Sequence, residues 1–203
     1  MKLKKIVAVL WGGLFAVAAH SGVVTISATK DATIGDGANQ YGNTEYRWVG
    51  NKYGNYFSIF GFDLSSLTGY DITAVAFSAY HNFSDGDSNV GARIGTNNSW
   101  DPATVVTYSG LGGVLDRELA SAQNLNQYQT WNLGAVSGNA LTVALVNLGS
   151  GWNDYQAILS PNHQEAFLSV TYTERNNVPE PGSLALLGLG VLGMVSLRRP
   201  AKA

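Results

Sequence analysis

The sequence predicts an all-β domain, an antiparallel β-sandwich of the jelly-roll kind, set between two apolar ends. Three observations carry that expectation. Gly, Asn, Ser and Thr interrupt residues 22–177 about every 8 to 15 positions, and the segments between them are rich in β-branched and aromatic residues. The best of those segments alternate in character with a period of two, as strands with one buried face do. No self-similarity at 20 to 50 residues is visible, which sets solenoids and propellers aside.

Along the chain the expected strands are 23–28, 46–49, 56–62, 72–80, 90–94, 104–108, 128–133, 141–148, 155–159 and 166–172. The clearest is 72–80, where Val75, Phe77 and Ala79 alternate with Ala74, Ala76 and Ser78. In 166–172, Ala166, Leu168, Val170 and Tyr172 share one face while Phe167, Ser169 and Thr171 share the other. About ten strands in one domain call for two packed sheets. Only 114–123 reads as helical, because Leu115 and Leu119 stand four apart.

The two ends read as targeting segments. Lys2, Lys4 and Lys5 precede an apolar run over 6–17 and a small-residue cleavage zone over 16–21, the pattern of a helical signal peptide spanning 1–21. At the other end, over 178–203, Val178-Pro179-Glu180-Pro181 is followed by an apolar run over 182–197 and then by Arg198, Arg199 and Lys202. As a helix that run rises roughly 24 Å, against about 30 Å of hydrocarbon, so it reads as a short transmembrane helix. The basic tail stays cytoplasmic, which places the body across the inner membrane before processing. A buried C-terminal core helix is the competing reading, and leucines on every face ahead of a doubled Arg argue against it.

Residues 178–203 resemble the PEP-CTERM sorting signal of Gram-negative bacteria, with its proline-glutamate box, Gly- and Leu-rich membrane segment and terminal arginine cluster in order. The resemblance implies that an exosortase processes the chain and passes it to the cell surface or extracellular matrix, in company with exopolysaccharide. It makes Val178, Pro179, Glu180, Pro181, Arg198 and Arg199 a recognition site for that enzyme.

Composition narrows the partners of the body. Between the ends, 22–177 is the size of one domain with a real core. Six of the 12 basic residues and one of the 14 acidic ones lie in the ends, which leaves six against thirteen and a formal charge of −7. Nucleic acid is thereby excluded as a partner, since phosphate binding needs concentrated basic charge. The chain has no Cys, which removes thiolate zinc sites and cysteine nucleophiles.

The body also carries Asp31-Ala32-Thr33-Ile34, Asn39-Gln40-Tyr41-Gly42-Asn43-Thr44, Phe62-Asp63-Leu64-Ser65-Ser66-Leu67, Trp100-Asp101-Pro102-Ala103-Thr104-Val105 and Phe167-Leu168-Ser169-Val170-Thr171-Tyr172. In that order they resemble the DNRLRE domain family, which is similar to carbohydrate-binding jelly rolls. The resemblance implies a carbohydrate-binding-module-like sandwich. It departs at 55–61, where the family tends to carry an arginine and leucines and this chain reads Asn55-Tyr56-Phe57-Ser58-Ile59-Phe60-Gly61.

Sugar recognition needs flat apolar faces beside groups that hydrogen-bond hydroxyls. Tyr41, Tyr46, Trp48, Tyr53, Tyr56, Trp152 and Tyr155 interleave with Asn43, Arg47, Asn51, Lys52, Asn55 and Asn153. Trp48, Tyr53, Trp152 and Tyr155 are the leading candidates, the last two because 149–154 reads as a loop. Sandwich cores use the same residue types, so the competing reading is packing.

Asp85, Asp87 and Asn89 place oxygen ligands at alternate positions and are candidates for a structural calcium. A solvated acidic turn is the alternative. His81 and His163 lack a nucleophile motif, Asp116 and Glu118 flank Arg117, and 110–113 is glycine-rich without the Lys-Ser/Thr of a phosphate loop. The expected function is therefore a non-catalytic, polysaccharide-binding surface or matrix protein. A purely structural protein and a polysaccharide-degrading enzyme are the alternatives.

Overall fold

Twelve antiparallel strands make up two sheets in the computed structural model, which describes residues 21–35, 40–42, 44–86, 89–95, 97–104, 111, 115–120, 124–162 and 164–175. Residues His20–Glu174 form one unit. Among the described residues no helix is long and apolar enough to cross a membrane. The apolar run at 182–197 and residues 1–20 lie outside them.

Sheet I contains β1 (Ser21–Ser27), β4 (Tyr46–Gly50), β6 (Tyr70–Asp85), β9 (Gln127–Gly134), β11 (Trp152–Gln156) and β12 (Phe167–Glu174). Sheet II contains β2 (Lys30–Ile34), β3 (Gln40–Tyr41), β5 (Phe57–Asp63), β7 (Val90–Gly95), β8 (Leu115–Ala120) and β10 (Ala140–Asn147), in the order β3-β2-β5-β10-β7-β8. The 16-residue β6 is the spine of sheet I. Ser78 pairs with both Phe167 of β12 and Thr130 of β9, while His81 pairs with both Tyr155 of β11 and Gln127 of β9. Hence β12 and β11 follow one another along the same side of β6, opposite β9.

The two sheets meet through the apolar positions that strand alternation turns inward. Phe77 on β6 has its ring centroid 5.2 Å from Phe60 and 5.9 Å from Phe62 on β5, across the interface. It also stacks on Trp131 of β9, whose indole N–H crosses to the carbonyl of Val90 at 2.9 Å. Sheet I keeps its other face toward solvent, as the alternating exposure of β1 and β9 records. Strands β2, β5 and β10 of sheet II are buried on both faces, because Trp100 and Leu111 cover Ala32, Ile34, Ile59 and Ala144. Trp100 is fixed there by its N–H to Thr142 Oγ1 at 2.8 Å, and Lys30 Nζ lies 4.5 Å from its ring centroid.

At the β4 edge the sheets are joined by polar groups. Arg47 is fully buried, and its guanidinium meets Asp31 of β2 at 2.7 Å. The same guanidinium donates to the carbonyls of Gly42 and Tyr46 and to Thr44 Oγ1, while the second Asp31 oxygen accepts the backbone N–H of Ile158. One residue on, the backbone N–H of Trp48 donates to Thr33 Oγ1 and its carbonyl accepts from Ser58 Oγ. Side chains of sheet II thus occupy the backbone edge of β4 that faces away from β11.

Two sequence expectations need correction. Residues Leu115–Ala120 are a strand paired with β7, not a helix. Leu115 and Leu119 fit one helical stripe, but the open edge of β7 offers a full set of backbone partners, which a short isolated helix cannot match. The strand expected at 155–159 begins earlier, at Trp152, and ends at Gln156. Pairing on both sides, with β4 and β6, overrides the loop preference of Asn153 and Asp154. Of the expected strand 104–108, all but Thr104 lies outside the described residues.

Replacing Asp31 by Ala leaves a buried guanidinium without its counter-charge, and should lower the unfolding free energy in urea by about 3–5 kcal/mol. The double replacement D31L/R47M removes both charges together and should cost distinctly less. Equal losses from the two variants would show that the pair itself is not what holds this corner.

Candidate functional site

The phase of β4 and β11 builds an aromatic face. Val49 and buried Arg47 point into the sandwich, which turns Trp48 to the outside; Asn153 and Tyr155 point inward, which turns Trp152 and Asp154 outward. Register then makes two rows on the solvent face, Trp48-Asp154-Phe83 and Gly50-Trp152-Asp85, across β4, β11 and β6. Gly50 has a specific reason to be Gly. A Cβ there would lie 2.6 Å from the Gly151 carbonyl oxygen, 2.8 Å from Trp152 Cα and 3.1 Å from its ring atom Cε3, so the backbone at 151–152 and the edge of the indole leave no space for a side chain.

The segment after β4 brings two more rings. Tyr53 and Tyr56 meet Trp152 edge to face at centroid distances of 5.3 and 5.2 Å, and Trp48 lies 6.2 Å from Trp152 at a tilt of 36°. Tyr53 is 62% exposed and Phe83 47%, so the cluster presents ring faces to solvent and is not merely packed.

Polar groups border the rings. Lys52 Nζ pairs with Asp85 Oδ2 at 2.5 Å, and the Tyr53 hydroxyl donates to the same oxygen at 3.0 Å. Those contacts hold the Asp85 carboxyl below its ordinary pKa and raise that of Lys52. Asp154 accepts the Trp152 indole N–H at 2.6 Å. Burial raises its pKa, against the opposing pull of that hydrogen bond. The arrangement can stack flat rings and exchange hydrogen bonds with hydroxyls through Asp154, Asp85 and Lys52.

Three of the four leading aromatic candidates, Trp48, Tyr53 and Trp152, come together here. Tyr155 does not: it is fully buried, stacks on His81 at 4.9 Å and meets Trp131 edge to face. It has no face to offer a ligand, and burial drives its phenol pKa well up. Arg47 and Asn153 are likewise interior.

Phe83 is the site residue that strict alternation hides. Counting in twos from buried His81 would turn it inward, but the register slips at Asn82, where the Asp154–Phe83 and Tyr155–His81 pairs leave one extra residue on β6. Of the calcium candidates, Asp85 is engaged by Lys52 and Tyr53, Asp87 lies outside the described residues, and the Asn89 carbonyl accepts the N–H of Leu148. Among the described residues no group of three or more His, Asp or Glu is placed to hold a metal ion.

Comparison with known families matches residues 177–199 to the PEP-CTERM protein-sorting motif. The match contains Val178, Pro179, Glu180, Pro181, Arg198 and Arg199, all outside the described residues. The motif marks the chain for export through a membrane-anchored precursor and for processing by an exosortase. Comparison with curated proteins finds no match.

His81 is an interior titratable group. Its Nδ1 faces the Asn124 carbonyl at 3.3 Å and its Nε2 faces Asn153 Oδ1 at 3.1 Å, and burial lowers its pKa against those hydrogen bonds. A neutral ring carries a single N–H and so donates to one of these two oxygens, the Asn124 carbonyl at Nδ1 or Asn153 Oδ1 at Nε2. Because the folded value lies below the unfolded one of about 6.5, this contribution to stability is complete above that pH and is lost as pH falls below it. The melting temperature should therefore drop on acidification from pH 7 to 5, and His81→Phe should be less stable at pH 7 yet flatter over that range. An equally steep decline in the variant would assign the acid limb to other groups.

Proposed function

We propose, taking the sorting motif at 177–199 as the premise, that the chain is an exported surface or extracellular-matrix protein whose sandwich binds polysaccharide without cleaving it. The leader at 1–21 and the apolar run at 182–197 are read as the signal helix and the temporary inner-membrane anchor of the precursor. The sandwich is read as a jelly-roll scaffold, in keeping with the resemblance of the body to the DNRLRE family.

The outward cluster of Trp48, Tyr53, Tyr56, Trp152 and Phe83 is the observation that carries the binding part of this reading. Stacking on a few rings gives weak attachment per copy, which many copies along one polymer convert into firm retention. The non-catalytic part is supported by Asp85, whose Oδ2 is held by Lys52 and Tyr53 and so is poorly placed to act with Asp154 as an acid-base pair. A second reading, a structural matrix protein without glycan affinity, is favoured by the way the rings of Trp48, Tyr56 and Trp152 also brace one another.

A glycan array probed with the exported protein, with and without calcium, should retain at least one polysaccharide class, and Trp152→Ala should weaken that retention about tenfold or more. Retention of no glycan under either condition would select the structural reading. The sorting part has a separate test. The double variant P179A/P181A should accumulate as a full-length precursor in the inner membrane, and normal release would overturn that assignment.

A further inference from the structure

The solvent face of sheet I carries a second aromatic group that lies in line with the first. Tyr80 on β6 faces Tyr128 on β9 with centroids 5.3 Å apart, and Tyr128 meets Phe167 of β12 at 5.1 Å. Tyr128 is 40% exposed. On β6, Phe83 of the first group and Tyr80 of the second are three residues apart, a separation of about 10 Å along an extended strand.

In the two rows that follow along the sheet the face is hydroxyl-lined and uncharged. One cross-strand row is Ser27, Phe167, Ser78 and Thr130, with the Ser78 and Thr130 hydroxyls 2.8 Å apart. The next is Thr25, Ser169, Ala76 and Asn132. No ionisable side chain stands in either row, although the body carries a formal charge of −7. The carboxylates border the two groups: Lys52 and Asp85 pair with one another, Asp154 stands between Trp48 and Phe83, Glu165 lies beside Tyr128, and exposed Asp71 stands level with Thr173 at the far end of β6.

We infer that this face binds an uncharged, hydroxyl-rich linear polysaccharide along β6, with Trp152 and its neighbours as one ring-stacking station and Tyr80, Tyr128 and Phe167 as a second. The inference rests on the polysaccharide-binding reading and narrows it. Charge complementarity selects the occupant: Asp154 accepts hydrogen bonds from sugar hydroxyls but repels uronate or sulfate groups, and Lys52, the cation beside the first station, is paired with Asp85. Two stations set apart along the strand favour the interior of a chain over a single terminal sugar, because one ring cannot reach both.

The test titrates the exported protein with a neutral gluco-hexaose series, the matching disaccharides and an alginate hexamer. Binding of a neutral hexaose ahead of alginate is expected, with Tyr128→Ala weakening the hexaose about tenfold and by clearly more than it weakens the disaccharide. Tyr128→Phe keeps the ring and should restore the hexaose affinity, and an unaltered near-ultraviolet circular dichroism spectrum certifies the fold of both variants. Preference for alginate, or hexaose binding indifferent to Tyr128→Ala, overturns this inference while leaving polysaccharide binding in place. Failure to bind any sugar, with self-association that Tyr128→Ala abolishes, overturns both and makes the face a contact between copies.

Discussion

Buried Arg47 sets the geometry on which the aromatic face depends. Its guanidinium is surrounded by Asp31, Thr44 and the carbonyls of Gly42 and Tyr46, so it can leave the interior only by breaking several charged hydrogen bonds together. Strand geometry then leaves its neighbour no choice. With Arg47 inside, Trp48 must be outside, and pairing of β4 with β11 carries that phase across to Asp154 and Trp152. A one-residue slip would bury Trp48 and strand the arginine, which is why a buried ion pair of modest net stability can still specify register.

The long strand β6 passes this order to the rest of the sheet. Its first half backs β12 and its second half backs β11, so the two aromatic groups of the solvent face share one strand. The slip at Asn82 has a structural consequence for each face. It lets His81 stay inside against Tyr155 while Phe83, two residues later, turns out beside Asp154. Inside, Phe77, Trp131, Tyr155 and His81 form a run of touching rings; outside, the displaced phase assembles the candidate binding surface.

Much of the architecture was legible in local pattern. The alternation in 72–80 and 166–172 places Phe77, Leu168 and Val170 inside as expected, because one buried face forces a period of two on the sequence. The 115–120 strand was not legible, since six residues with leucines four apart satisfy a helical and an extended pattern about equally. Tyr155 was chosen as a ligand contact on loop grounds, and only its pairing with both β4 and β6 shows that it belongs to the core.

The sorting address belongs to the sequence alone: a proline-glutamate box, an apolar run and terminal arginines act by order and composition, which a processing enzyme and a bilayer can read without a fold. The all-β class was also written there, in periodicity and turn residues. Tertiary structure decided which aromatics are surface and which are core, because Trp48, Tyr53, Trp152 and Tyr155 are chemically alike and their fates hang on strand phase. That phase is fixed by a contact sixteen positions apart, Asp31 with Arg47, and by one extra residue on β6, neither of which local sequence pattern records.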